Sequence, residues 1–160
     1  IAIEHPVLPD PLNGRYLYLE DVQDPGNVGT MIRTADAAGF DGVMLSKASA
    51  DLYSLKTLRS MQGSHFHLPI WKMDREELFE RASQSNLAVL ATTLSEASID
   101  YRQLPQIDQL ILVMGNEGKG ISPEMATRAD QLVHITMPGR AESLNVAVAA
   151  GILMFHLRNF

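Results

Sequence analysis

Apolar residues gather along the chain in short runs of the length expected for β-strands. Two of them, Leu87–Thr92 and Gln109–Met114, are apolar throughout, as in strands buried on both faces of a parallel sheet. Four further segments have strand character: Arg15–Leu19, Gly42–Leu45, Leu68–Trp71 and Leu132–Ile135. The pattern therefore predicts six strands.

Helical spacing fills the intervals between these strands. Val28, Met31, Ile32 and Ala35 recur at the helical period and predict a helix that ends near Gly39. Further helices are predicted at Ser54–Met61, at Asp74–Ser83 with Asp74 as its N-cap, from Ser122-Pro123 onward, and at Asn145–Leu157. The first strand, helix and second strand form a βαβ unit, so the chain is predicted to be an α/β domain with a mostly parallel sheet flanked by helices.

Composition narrows the functional classes. A chain of 160 residues is the size of one domain, and its net charge of −6 requires that any RNA contact come from a local positive patch. Cysteine is absent, which excludes thiolate metal sites and cysteine nucleophiles. His65 and His67 lack a nearby third ligand, so we expect a structural or surface role and no metal site. No apolar run is long enough to span a bilayer, and we expect a cytoplasmic protein without membrane attachment.

The loop after the first strand, Asp24–Arg33 (DPGNVGTMIR), lies where ligands bind in parallel sheets. Asn27 is placed to cap the following helix, and Arg33 is expected to lean back over Gly29, whose missing side chain would leave room above it. A guanidinium near a helix N-terminus favours an anion such as phosphate. The structural alternative is that Asn27 is only a cap and Arg33 a solvated surface residue.

A second loop, Met114–Ser122 (MGNEGKGIS), follows a buried strand. Its three glycines would let the backbone approach a ligand and adopt positive φ: Gly115, Gly118 and Gly120. The loop is not a P-loop, because Ile121 stands where the phosphate-binding lysine is required. A plain glycine-rich turn is the alternative, although Asn116 and Glu117 at its tip then have little structural purpose.

The third loop, Ile135–Val146 (ITMPGRAESLNV), leads into the last predicted helix. Ser143 and Asn145 bracket Leu144, and either polar residue could simply cap that helix. If the three strand ends lie side by side, however, a hydroxyl, an amide and the Glu117 carboxylate would converge.

Taken in order, the three loops resemble the signature motifs of the SPOUT superfamily, specifically of SpoU/TrmH-type RNA 2′-O-ribose methyltransferases. The motifs match at Asp24–Gly39, Met114–Gly120 and Ser143–Val146. The segment from Leu58 to Pro69 also resembles the region between the first two motifs. One position departs from the family pattern: Thr136 follows Ile135, where the family usually has proline.

The resemblance implies a fold that periodicity does not show, a parallel sheet ending in a deep C-terminal trefoil knot. It implies S-adenosylmethionine as cofactor, bound along Leu94, Gly115, Ile135 and Leu144. It also implies a homodimer with the active site at the subunit boundary. The apolar helix Asn145–Leu157 suits such a dimer contact.

The implied reaction is methylation of a ribose 2′-hydroxyl in structured RNA, ribosomal RNA more than transfer RNA. The residues that match the family's polar site are Asn27, Arg33, Glu117, Ser143 and Asn145. A guanidinium has no free acceptor, so we expect Arg33 to clamp an RNA phosphate and not to accept the proton. Asn27, Ser143 and Asn145 would orient the arginine and the ribose, and Glu117 would hold that network.

Three further expectations follow. Many relatives carry a separate RNA-binding domain, and one is expected upstream of the short lead His5–Pro11. A non-catalytic RNA-binding member of the same fold is the first alternative function. A small-molecule enzyme with a nucleotide cofactor is the second, and it lacks both the P-loop lysine and a GxGxxG motif.

Overall fold

Seven strands form one sheet in which every observed pairing is parallel. The computed structural model describes residues 7–52, 54–64, 67–141 and 143–158. The strands are β1 (Arg15–Leu19), β2 (Gly42–Leu45), β3 (Ile70–Lys72), β4 (Ala88–Thr92), β5 (Ile99–Asp100), β6 (Leu110–Met114) and β7 (Gln131–His134). All six predicted strands are confirmed, with bounds shifted by at most two residues.

The strand that sequence reasoning missed is β5. It is two residues long and has no apolar run, so it gives no periodic signal. It lies at the sheet edge, where Asp100 pairs with His134 of β7.

Five α-helices lie in the described ranges, and each corresponds to a predicted one, whereas the short 3-10 helix Tyr101–Gln103 was not predicted. They are α1 (Pro25–Ala37), α2 (Leu55–Met61), α3 (Arg75–Ser85), α4 (Pro123–Arg128) and α5 (Val146–Leu157). Asp74 caps α3 by accepting the Glu77 N–H at 2.8 Å, and Ser122 caps α4 by accepting the Met125 N–H at 3.1 Å. Both caps were predicted from the sequence.

The central strands are buried on both faces. On β1, Leu17 belongs to the apolar cluster beneath α1 and α5, while Tyr16 and Tyr18 belong to the cluster on the opposite face. All five residues of β6 are buried, which confirms the reason for predicting it as an interior strand.

Strand order determines where the polar loops meet. The order is β3-β2-β1-β6-β4-β7-β5, so β1 and β6 are neighbours although more than 90 positions of chain separate them. Leu19 pairs with Met114, the last residues of the two strands. The loops after β1, β6, β4 and β7 therefore leave from the same edge of the sheet.

The last helix is covered only in part within one chain. Ala150, Leu153 and Met154 are buried, whereas Val148 and Phe155 remain 53% and 39% exposed. No helix in the described residues has the length and apolar character needed to cross a membrane.

Candidate active site

The first and second loops are joined by the Glu117 carboxylate. Its Oε2 accepts the backbone N–H of Asp24 at 2.7 Å, and its Oε1 accepts that of Gln23 at 3.1 Å. These are charge-assisted bonds from backbone donors, stronger than neutral pairs. Glu117 thus holds the backbone that leads into α1.

These contacts affect the charge state of Glu117. Partial burial alone would raise the pKa of its carboxyl. The backbone N–H groups of Glu117, Asp24 and Gln23, with the Asn27 amide, outweigh burial and lower the pKa below its usual value. The carboxyl is therefore ionised at neutral pH and acts as an acceptor.

Asn27 does not cap α1, contrary to the sequence-based expectation. Asp24 is the N-cap, and its Oδ1 accepts the Asn27 N–H at 3.0 Å. Pro25 then occupies the first turn, where its missing N–H costs nothing. The Asn27 side chain is thereby available: its Nδ2 donates to Glu117 at 3.5 Å, and its Oδ1 accepts from Asn145 at 3.3 Å.

Asn145 serves both of the roles that the sequence left open. Its Oδ1 caps α5 by accepting the N–H groups of Ala147 at 2.8 Å and Val148 at 3.2 Å. Its Nδ2 donates to Asn27. One asparagine thus ties the third loop to the first, and capping fixes the direction of its amide.

Ser143 takes no part in capping. It is exposed and lines the same cavity as Glu117. Within the described ranges, its hydroxyl has no hydrogen-bond partner, so it is free to bind a ligand.

Arg33 lies apart from the other four residues. It is exposed on α1, six residues beyond Asn27, which places it about 9 Å further along the helix axis. It does not line the cavity, and its guanidinium contacts no acceptor among the described residues. The single chain therefore does not bring Arg33 to the hydrogen-bonded set of Asn27, Glu117 and Asn145, here called the Asn27 cluster.

The expectation that Gly29 leaves room for Arg33 is wrong. A Cβ at Gly29 would lie 2.3 Å from Ser60 Cβ and 2.6 Å from the Thr57 carbonyl oxygen, both on α2. The glycine is needed because α2 packs closely against α1 there.

The glycines of the second loop have distinct roles. A Cβ at Gly115 would lie 2.3 Å from the Ile121 nitrogen, so this glycine admits the loop's own backbone. Gly120 adopts φ +71°, while Gly118 has neither a positive φ nor a close neighbour. The predicted positive φ is therefore found at Gly120 alone, and the close approach at Gly115 is to the protein chain and not to a ligand.

Asn116 closes this loop, so the expectation that it has little structural purpose is wrong. Its Oδ1 accepts the N–H groups of Gly118 and Lys119 at 2.9 and 3.0 Å, and its Nδ2 donates to the Asp21 carbonyl at 2.7 Å. An asparagine that bonds backbone two and three positions ahead is a recognisable turn signal.

A cavity of about 250 Å³ opens beside the Asn27 cluster. All four residues predicted to bind cofactor line it: Leu94, Gly115, Ile135 and Leu144. It also includes lining residues that sequence reasoning missed: Thr92, Thr93, His134 and Met137. They lie at or just after the ends of β4 and β7, and that position is the signal that could have found them.

The structure describes one histidine of the pair. His67 is exposed, with its Nδ1 3.3 Å from an Asp36 carboxylate oxygen, and His65 lies outside the described residues. No cluster of three or more potential metal ligands occurs in the part of the chain that the structure describes.

Comparison with known proteins gives a consistent match. The model of the SpoU rRNA Methylase family matches residues 14–155. The chain is 44% identical over 144 residues to the 23S rRNA (guanosine(2553)-2′-O)-methyltransferase RlmP of Bacillus subtilis, covering 90% of this chain and 58% of that protein.

Solved structures agree in fold. The AdoMet-bound rRNA methyltransferase from Sinorhizobium meliloti superposes with a TM-score of 0.86 at 41% identity, covering 92% of this chain and 57% of that one. The SpoU methyltransferase AviRb from Streptomyces viridochromogenes, in complex with AdoMet, gives 0.82 at 32% identity, covering 95% and 58%. The chain thus spans less than two thirds of the length of these relatives.

Proposed function

Because this chain belongs to the SpoU rRNA Methylase family, we propose that it methylates a ribose 2′-hydroxyl in structured RNA, ribosomal RNA in preference to transfer RNA. The observation that carries the proposal is the hydrogen-bonded row Glu117–Asn27–Asn145, whose Glu117 end lines an apolar-walled cavity. It unites all three loops at one place. The reaction would take place in the cytoplasm, with the RNA.

The cavity fits S-adenosylmethionine as cofactor. Its walls include apolar side chains suited to an adenine ring, among them Leu94, Ile135 and Leu144, next to the backbone of Gly115. When bound, the cofactor supplies an electrophilic methyl group on a sulfonium. No metal ion is required by this chemistry.

The side chains of the row would position the ribose. The ionised Glu117 holds Asn27, and capping holds Asn145, so both amides are oriented before RNA arrives. The free Ser143 hydroxyl faces the same cavity and can bind the sugar. Positioning of this kind supplies much of the rate in a transfer between two bound reactants.

Arg33 would act on the RNA backbone. Its exposed guanidinium, free of intrachain acceptors in the described ranges, suits bidentate binding of a phosphate. Because a guanidinium keeps its proton, the 2′-hydroxyl proton would pass to a phosphate oxygen or to water.

A homodimer would complete this site. The open face of α5 presents Val148, Ile152 and Phe155, 53%, 37% and 39% exposed, at helical spacing. A groove lined by Asn27, Asn145 and Ile152 adjoins that face. A second copy seated there would bury the apolar side chains and bring a second set of RNA-binding groups, Arg33 included, to the cluster.

The chain's resemblance to SpoU/TrmH-type methyltransferases also supports a deep trefoil knot in the C-terminal part.

The test is transfer of labelled methyl groups from S-adenosylmethionine to ribosomal RNA by the purified protein, followed by mass-spectrometric mapping. The product is expected at a 2′-oxygen, and the same site should be unmethylated in cells that lack the gene. Methylation of a base, or no methyl transfer to any RNA, would refute the proposal.

Two variants test the assigned roles. Arg33→Ala should lower RNA affinity and turnover without altering cofactor binding. Lys72→Ala is the matched control, since it removes an exposed cation from β3, at the far edge of the sheet. Equal behaviour of the two variants would remove Arg33 from the mechanism.

A further inference from the structure

A short segment at the sheet edge, Ser98–Arg102, is fastened to the end of β7 beside the cavity. Ser98 Oγ lies 2.7 Å from His134 Nδ1, and Asp100 Oδ2 accepts the backbone N–H of Thr136 at 3.1 Å. The segment includes the two-residue strand β5, whose pairing with β7 supplies few backbone bonds of its own. Side chains therefore provide much of the attachment.

The Asp100 carboxylate is the charged group among these attachments. It is 9% exposed, and its Oδ1 accepts both the backbone N–H and the Nε–H of Arg102 at 2.9 Å. Its other oxygen is thereby directed at Thr136. Hydrogen bonds from Arg102 and Thr136 hold the pKa of this carboxyl well below its usual range, so it is ionised at neutral pH.

Thr136 is the point where this carboxylate meets the cavity wall. Its neighbours Ile135 and Met137 both line the cavity, as does His134 before them. The N–H that Asp100 binds exists only because this position is not proline, which has no backbone donor. This N–H belongs to the peptide unit that joins Ile135 to Thr136, so the bond holds that unit, one residue before Met137.

We propose that Asp100 is a positioning residue for the cofactor: its carboxylate anchors the Thr136 N–H and so holds the Ile135–Met137 wall of the cavity in the shape that binds S-adenosylmethionine. The inference rests on the proposed function, which assigns this cavity to that cofactor. Asp100 itself does not line the cavity, so it acts through the wall and not by contact.

The first experiment measures S-adenosylmethionine binding by calorimetry for the wild type and for Asp100→Ala and Asp100→Asn. Loss of a hydrogen bond to a charged acceptor predicts a Kd raised roughly tenfold in Asp100→Ala. Asp100→Asn keeps one acceptor oxygen and the side-chain shape, so its effect should be smaller. Glu96→Gln is the matched control, because it removes an exposed carboxylate from the loop just before β5 and should leave the Kd unchanged.

The kinetic readout separates positioning from general destabilisation. Asp100→Ala should raise KM for S-adenosylmethionine while kcat at saturating cofactor and RNA affinity stay within about twofold of the wild type. If Asp100 had a purely structural role, Asp100→Ala would lower the unfolding midpoint. KM for S-adenosylmethionine in the folded variant would then stay at the wild-type value.

A second variant removes the other partner. Thr136→Pro deletes the N–H, so it should weaken cofactor binding, and adding Asp100→Ala to it should cause little further loss. Additive effects, or wild-type cofactor affinity in folded Asp100→Ala, would overturn the inference while leaving the proposed function standing. Absence of cofactor binding by the wild type would overturn both.

Discussion

Gly115 offers a sharp test of how the second loop shapes the cavity. An alanine Cβ there would lie 2.3 Å from the Ile121 nitrogen, 2.4 Å from the Gly120 carbonyl carbon and 2.7 Å from its oxygen. All three atoms are backbone, and ordinary contacts of Cβ begin at 3.4 Å. The facing strand of the loop must therefore move by about 1 Å.

The loop cannot make this movement freely. Asn116 and Gly120 exchange backbone hydrogen bonds of 2.9 and 3.1 Å, and Asn116 is bonded to Asp21. Overpacking against such a constrained neighbour typically costs ~1–3 kcal/mol, and we expect Gly115→Ala to lower the free energy of unfolding by about 2 kcal/mol. Because Gly115 and Gly120 both line the cavity, Kd for S-adenosylmethionine should rise roughly tenfold or more.

Gly118→Ala is the control within the same loop. Its Cβ would meet only Asn116 Oδ1, at 3.7 Å, which is an ordinary contact. Urea unfolding and calorimetry with S-adenosylmethionine are expected to leave this variant within error of the wild type. If Gly115→Ala also kept wild-type stability and cofactor affinity, the close backbone approach at Gly115 would be refuted as the determinant of the cavity.

Two further predictions concern other positions. Gly29→Ala should destabilise the fold by about 2 kcal/mol in urea unfolding, because its Cβ would lie 2.3 Å from Ser60 Cβ on α2. Gly151→Ala is the control: its Cβ would lie 3.7 Å from the nearest neighbouring atom, so this variant should be neutral or stabilising. Equal effects of the two substitutions would contradict the close packing of α1 on α2. Glu117→Gln should destabilise at neutral pH by about 1 kcal/mol or less, given solvent screening. The folded-state pKa of Glu117 is lowered, so its contribution is present above the unfolded-state pKa and lost as pH falls through the folded value. The difference from wild type should thus shrink in acid, and a gap independent of pH would assign the effect to shape.

The strands and helices could be predicted from the sequence because the signals that specify them are local. Apolar runs such as Gln109–Met114, and caps such as Asp74 and Ser122, act within a few residues, and the structure confirms them. The resemblance of three loops to family motifs indicated where the site lies. The four residues predicted from it to bind cofactor do line one cavity. The roles of the polar site residues stay predictions.

Prediction from local sequence was wrong where two nearby residues could each cap the same helix. Asp24 and Asn27 are both good caps, and Asp24 caps α1, which releases Asn27 for the cluster. The space beside Gly29 was assigned to Arg33, yet it is filled by α2, a helix about 30 positions away.

The sequence by itself determined the local elements of this protein: which segments form strands, where helices start, and which polar groups follow strand ends. Only the tertiary structure decided which strands lie side by side and therefore which side chains meet. Placing β6 beside β1, and β4 between β6 and β7, brings Asn27, Glu117 and Asn145 into one hydrogen-bonded row. The physical reason is range: propensity and capping act over a few residues, whereas strand order is set by the joint burial of distant apolar faces, which no single window of sequence contains.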